Sequence, residues 1–185
     1  MPYTRRISVT DAVDTGYPAY QAVFVASPES ATVPSRVDYA GFAALTDKLQ
    51  AVRADRLVSL DRFWALAGDG DTMILDARSR DAFARGHIDG AVNLPLTDFT
   101  AQSLAQVIDN PNRRLLIYCN NNFVNNTDPV VTKQVRLALN IQTFINLNGY
   151  GYANVYELGE AVNFNDPRVG WVSGEATAVA ISGGP

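Results

Sequence analysis

The sequence predicts an α/β protein with a central parallel sheet flanked by helices, preceded by an irregular N-terminal extension. Three observations carry that expectation. Short apolar runs at Thr72-Met73-Ile74-Leu75-Asp76, Ala91-Val92-Asn93-Leu94, Arg113-Arg114-Leu115-Leu116-Ile117 and Asn154-Val155-Tyr156-Glu157-Leu158 alternate with segments of helical periodicity, the pattern of a parallel sheet between helices. The chain has 185 residues, about one domain, and 47% are apolar, enough to bury a core. Residues 1–38 behave differently, because Pro2, Gly16, Pro18, Pro28 and Pro34 interrupt every periodic pattern there. The expected organisation is an extension over 1–38, the α/β domain with its leading helix over 39–175, and a tail over 176–185.

Each element has its own signal. Tyr20-Gln21-Ala22-Val23-Phe24-Val25 reads as an edge strand within the extension. Phe42, Leu45, Leu49 and Val52 recur at three and four, which predicts an amphipathic helix over 39–52. Ser59 is placed to cap a helix from Leu60 to Ala67, stopped by Gly68 and Gly70. The strand ending at Asp76 leads to Ser79, which opens a helical turn through Phe83 and Arg85, closed by Gly86. Pro95 ends the strand at 91–94. Leu104, Val107 and Ile108 share one face of a helix over 100–108, and Asn110-Pro111-Asn112 turn into the next strand. Thr127-Asp128-Pro129 has the form of a helix start, with proline at the first helical position. Val131, Val135, Ala138, Ile141 and Ile145 then mark one face, and Asn148-Gly149 the end. After the last strand the tail from Gly159 wraps back with Trp171.

Composition narrows the function. The chain carries 15 basic and 19 acidic residues, a net charge of −4, and has no Lys/Arg stripe, so nucleic acid is not an expected partner. No apolar run of about 18 residues occurs, so no membrane span is expected. Arg5 and Arg6 have no apolar stretch behind them and do not read as a signal peptide. The expected compartment is the cytoplasm if Met1 is the native start, and the periplasm or exterior if a signal has been removed. One cysteine and one histidine, Cys119 and His87, exclude an intramolecular disulfide and make a closed zinc site improbable. No cofactor is expected.

That single cysteine is the chemical focus. It ends an apolar strand, and five asparagines fill the seven positions 120–126 that follow. A buried strand that stops at a cysteine and opens into a polar loop is a way for a parallel sheet to present a nucleophile at its carboxyl edge. An oxidised or sulfur-loaded form of Cys119 would have to be resolved by an outside thiol.

Three segments, in order, resemble the rhodanese-like (sulfurtransferase) family. They are Leu75-Asp76-Ala77-Arg78 through Gly86-His87-Ile88-Asp89-Gly90-Ala91-Val92-Asn93-Leu94-Pro95; Leu116-Ile117-Tyr118-Cys119; and Gly151-Tyr152-Ala153-Asn154-Val155-Tyr156-Glu157-Leu158. The resemblance covers roughly residues 55–172 and implies a small α/β domain whose catalytic cysteine, matched by Cys119, accepts sulfane sulfur as a persulfide and passes it to a nucleophile. It also implies the partners: a sulfur donor, thiosulfate or a persulfide, and an external thiol or other nucleophile as acceptor. The match breaks after the cysteine. Active members carry a tight loop with glycine and then arginine or serine, whereas Val124 and Asn125 stand at the fifth and sixth positions here. The chain is similar in this respect to a rhodanese-like variant with an extended Cys-Asn-Asn-Asn-Phe run.

The loop sets the expected chemistry. A persulfide-forming cysteine needs a thiolate, stabilised by a helix N-terminus, a cation or converging N–H groups. With the next helix expected nine residues on, at Asp128, the dipole is out of reach and the aspartate repels an anionic donor. Asn120, Asn121 and Asn122 tolerate left-handed geometry and could form an anion-binding nest, or else be a solvated polar loop. The candidate anion-binding loop is Asn120, Asn121, Asn122, Phe123, Val124 and Asn125. Only Lys133, Arg136 and Arg168 are cationic after Cys119, which favours a donor less charged than thiosulfate. Arg78 either reaches the active-site mouth or pins the turn against Asp76, and the pinning role is preferred. His87 is expected to order its loop rather than move protons, and Phe123 to pack. A tyrosine-phosphatase reading fails because Asn125 stands where a phosphate-clamping arginine is required. Two functions remain open: a sulfurtransferase or sulfur carrier working through Cys119, and a catalytically silent binding or sensing module that uses the Asn-rich loop as a recognition surface.

Overall fold

The computed structural model describes residues 35–173. The expected edge strand at 20–25, the rest of the extension and the tail beyond 173 lie outside the described residues. The helices are α1 (Tyr39–Ala54), α2 (Leu60–Ala67), α3 (Arg80–Arg85), α4 (Ala101–Ile108) and α5 (Leu139–Gly149). The strands are β1 (Leu57–Val58), β2 (Thr72–Asp76), β3 (His87–Ile88), β4 (Val92–Asn93), β5 (Arg114–Tyr118), β6 (Val155–Leu158) and β7 (Trp171–Val172).

β1, β6, β5, β2 and β4 form one parallel sheet in that order, and β3 pairs antiparallel with β7 beside it. The centre of the sheet is apolar on both faces because helices cover both. Leu115 and Ile117 of β5 point to one layer with Phe144, Ile145 and Leu147 of α5, Leu104 and Ile108 of α4, and Leu49 of α1. Leu116 and Tyr118 point to the other, with Leu60, Phe63 and Leu66 of α2 and Ile88, Phe123 and Val130. The period of two along β5 sends alternate side chains into opposite layers. Arg53 of α1 ties itself to the buried Glu157 of β6 through two hydrogen bonds of 2.8 and 2.6 Å. Among the described residues no helix is long and apolar enough to cross a membrane.

The serine caps fall where expected: Ser59 Oγ accepts from the Arg62 N–H, and Ser79 Oγ from the Ala82 N–H. Three other expectations need correction. The strand at 91–94 pairs only at Val92 and Asn93. On α1, Leu49 is buried and Leu45 partly so, whereas Phe42 and Val52 stay exposed. α5 ends at Gly149 as expected, and the positive φ falls two residues further on, at Gly151 (φ +94).

The largest difference concerns the helix expected from Asp128. Pro129 lies in a turn, residues 131–134 are irregular, Val135–Leu137 is a single 3-10 turn, and α5 begins only at Leu139. Val131 and Val135, whose spacing imitates a helical face, are exposed. Asparagine side chains claim the backbone that a helix would have used. Asn120 Nδ2 donates to the Val131 carbonyl at 2.9 Å. Asn121 donates to the Lys133 carbonyl and accepts from its N–H, at 2.8 and 3.1 Å. Asn126 Oδ1 accepts from the Thr132 N–H at 3.0 Å. Such side-chain bonds compete directly with helix formation.

Candidate functional site

β5 lies between β6 and β2, so its carboxyl end opens at the middle of the sheet, where α/β folds place their ligands. Cys119 follows β5 directly, is only 2% exposed, and lines a cavity of about 560 Å³. The wall includes Arg78, Arg85, Asn120, Lys133 and Leu139 as well as Cys119.

Asn120–Asn122 forms one right-handed 3-10 turn, not a left-handed nest; the positive φ falls at Asn126. Within the turn the Asn122 N–H is used by the Cys119 carbonyl and the Phe123 N–H by the Asn120 carbonyl. The Val124 N–H goes to Val162. Of the amides at 120–125 expected to hold an anion, that of Asn121 favours the thiolate. The other two N–H groups that do so belong to the first turn of α5, at Asn140 and Leu139. The helix N-terminus thus returns to the cysteine across a loop far longer than the nine residues anticipated, and Asp128 is not at it. Asp128 instead pairs with Arg85 at 3.1 Å.

Asn122 is the clasp that makes this return possible. Its Oδ1 accepts from the Cys119 N–H and from Asn140 Nδ2, both at 2.9 Å, joining the loop to the start of α5. Its Nδ2 donates to the Leu158 and Glu160 carbonyls at 2.6 and 3.3 Å, fixing both to the end of β6. The electrostatic balance at the sulfur goes against the thiolate. Burial pushes the Cys119 thiol above its ordinary value and the Glu157 carboxylate adds to this, while the N–H groups of Asn140, Asn121 and Leu139 oppose it.

A buried polar cluster supports the site. Asp76 accepts from Arg78 Nε at 3.0 Å, from Arg78 Nη2 at 2.6 Å and from the Tyr118 hydroxyl at 2.6 Å. The Tyr118 oxygen in turn accepts from the Ile88 N–H at 3.0 Å. Burial and the adjacent Asp76 carboxylate hold the Tyr118 phenol well above its usual range, so it stays a neutral donor. Arg78 Nη2 also donates to the Gly86 carbonyl at 2.7 Å, so Arg78 does pin the strand-to-helix turn. It also lines the Cys119 cavity, and its Nη1 has no hydrogen-bond partner among the described residues.

The remaining candidates separate from the sulfur. His87 Nδ1 lies 2.9 Å from the Phe83 carbonyl and its ring stacks on Phe83 at 3.8 Å, away from the cavity wall. Phe123 is buried against Trp171, with ring centroids 4.9 Å apart. Val124 is exposed, and Asn125 reaches Asn163 and Phe164. Sequence reasoning missed Arg85, Leu139 and Asn140. No spacing relative to Cys119 announces them, because the loop length decides which residues return. Counting cations only after Cys119 also overlooked Arg85, which lines the cavity from upstream with Arg78.

Similar proteins were found at two levels. A rhodanese-like domain of the Alr3790 protein from Anabaena sp. is 20% identical, with a TM-score of 0.41 over 57% of this chain and 95% of that one. The human single-domain sulfurtransferase TSTD1 is 20% identical, with a TM-score of 0.40 over 57% of this chain and 90% of that one. A thiosulfate sulfurtransferase from Pseudomonas aeruginosa is 19% identical, with a TM-score of 0.46 over 73% of this chain and 23% of that one. No curated protein matches the sequence. Residues 59–161 match the family described as the Rhodanese-like domain, more than half of the chain, and this protein belongs to that family.

Proposed function

We propose that this domain is a sulfurtransferase or sulfur carrier that moves sulfane sulfur through a persulfide on Cys119. The observation that carries the reading is the placement of Cys119 on the wall of a cavity at the carboxyl end of the central strand β5, with N–H groups of Asn140, Asn121 and Leu139 favouring its thiolate. In the first step the Cys119 thiolate attacks the outer sulfur of a donor such as thiosulfate. The new S–S bond forms as the donor's S–S bond breaks, and the electron pair leaves with sulfite. In the second, an external thiolate attacks the outer sulfur of the protonated persulfide, giving its own hydropersulfide and restoring the Cys119 thiolate. No second cysteine exists to take that role.

The persulfide relieves the cost of a buried charge. Its outer sulfur lies about 2 Å beyond Sγ, toward the cavity, where the anion is less desolvated than on Sγ itself. Sulfur-transfer rates over a panel of thiosulfate and persulfide donors, with Cys119→Ser as the comparison, test the reading. Loss of at least about a hundredfold in the variant is expected; equal residual rates in both proteins would remove it. One observation favours a second reading, a silent binding or sensing module: burial disfavours the thiolate of Cys119. That reading requires no turnover with any donor.

A further inference from the structure

We propose that the segment 131–137, at the mouth of the Cys119 cavity, is a docking surface for a protein that accepts the sulfur. That partner carries its thiol on a protruding segment flanked by aliphatic and acidic side chains. Naming it deepens the sulfur-transfer reading, on which it rests for the group transferred. Cys119 is the only cysteine, so the receiving thiol comes from another molecule. The partner's thiolate bonds to the outer sulfur of the Cys119 persulfide as the bond to Sγ breaks, and the electron pair stays on Cys119. Val131, Val135 and Leu137 are 49, 78 and 58% exposed, and every residue from 131 to 137 is exposed. Val131 and Leu137 also stand on the wall of the Cys119 cavity, so this apolar rim borders the route to the sulfur. Exposed aliphatic side chains grouped in one place mark interaction surfaces.

The rim is held in place. Val130, fully buried in the core, anchors its start. Asn120 and Asn121 donate to the Val131 and Lys133 carbonyls, and Asn126 and Asn121 accept from the Thr132 and Lys133 N–H groups. The turn at Val135–Leu137 closes through the Leu137 and Ala138 N–H groups. A surface fixed in this way binds a partner without a large ordering cost. Charge selects the partner. The chain has a net charge of −4, yet 131–137 holds Lys133 and Arg136 and no acidic residue. Neither cation makes an ion pair among the described residues. Acidic side chains on the partner complement them. A second copy of this chain would instead set one cationic patch against the same patch, which like-charge repulsion opposes. A small thiol fills the cavity without touching Val135 or Arg136, which lie outside its wall, and gains nothing from them. Because Cys119 is only 2% exposed, the partner's thiol has to project into the cavity rather than lie on a flat face.

The probe is a synthetic peptide with one central cysteine flanked on each side by leucine and glutamate. Its control has lysine in place of each glutamate. Binding is followed by fluorescence anisotropy on the full chain as Cys119→Ser, with serine replacing the peptide cysteine, so that no reaction occurs. The glutamate peptide is expected to bind saturably, and the lysine peptide at least about tenfold more weakly. Val135→Ser should weaken the glutamate peptide at least about threefold, and Arg136→Glu should reverse the preference between the two peptides. Both side chains are exposed, so both variants are expected to fold. Absence of saturable binding, or an affinity untouched by Val135→Ser and Arg136→Glu, would overturn the docking surface. A dimer in analytical ultracentrifugation that Val135→Ser abolishes would overturn it too, since the rim would then belong to a second copy. Sulfur transfer to glutathione without peptide binding removes the surface alone, and peptide binding without transfer to any thiol removes the enzymatic reading alone.

Discussion

Asp76→Ala is expected to lower the free energy of unfolding by about 3–5 kcal/mol, the largest effect of any single polar substitution in the domain. The carboxylate is fully buried and is the one counter-charge in contact with Arg78, itself 3% exposed, among the described residues. Alanine leaves a guanidinium stranded away from water, the Arg78 N–H without its 2.9 Å acceptor, and the Tyr118 hydroxyl without its 2.6 Å acceptor. Each deficit costs desolvation energy that nothing nearby returns. Denaturant unfolding measures it, and a loss under about 1 kcal/mol would contradict the account of this cluster. The double change Asp76→Leu with Arg78→Met should cost less than Asp76→Ala alone, because removing both charges avoids the stranded one. The cluster also positions the Cys119 cavity, since Arg78 belongs to both.

The second large effect is on pH dependence. Burial leads the forces that raise the Cys119 thiol, with Glu157 adding to it and three N–H groups opposing. A raised value means a smaller thiolate fraction at neutrality than a free cysteine has, and a fraction still climbing steeply near about pH 8.5, where a free cysteine is already about half ionised. Alkylation by an uncharged reagent should therefore accelerate about tenfold per pH unit from about 7 through 8.5, without a plateau there. Sulfur transfer from an uncharged donor should climb along the same curve. A plateau below about pH 7.5 would mean that the N–H groups and the α5 N-terminus outweigh burial. On the proposed sulfur-transfer reading, a thiol raised by burial needs the donor and the cavity together to stabilise its thiolate.

The legibility of the sequence varied along the chain for physical reasons. β2, β5 and β6 are buried on both faces, so continuous apolar runs betray them, and Ser59 and Ser79 mark helix starts through local hydrogen bonds that need no tertiary context. β1, β3 and β7 have two residues each, too few to show any period. The misread helix at 128–138 had a helical spacing of valines, but its backbone bonds were already taken by Asn120, Asn121 and Asn126, and nothing in a local window shows such long-range competition. The cysteine itself was legible as the end of an apolar strand. Its surroundings were not, because Arg78, Arg85, Lys133 and the α5 N-terminus meet only once the loop has closed.

The most direct test weighs the protein after exposure to a sulfur donor. Intact-mass measurement across pH should show one added sulfur atom on the wild-type chain, removed by excess external thiol and missing from Cys119→Ser. If no sulfur is added at any pH up to about 9.5, well above the ordinary cysteine value, or if the serine variant gains as much, then Cys119 does not carry sulfur and the cavity serves another purpose.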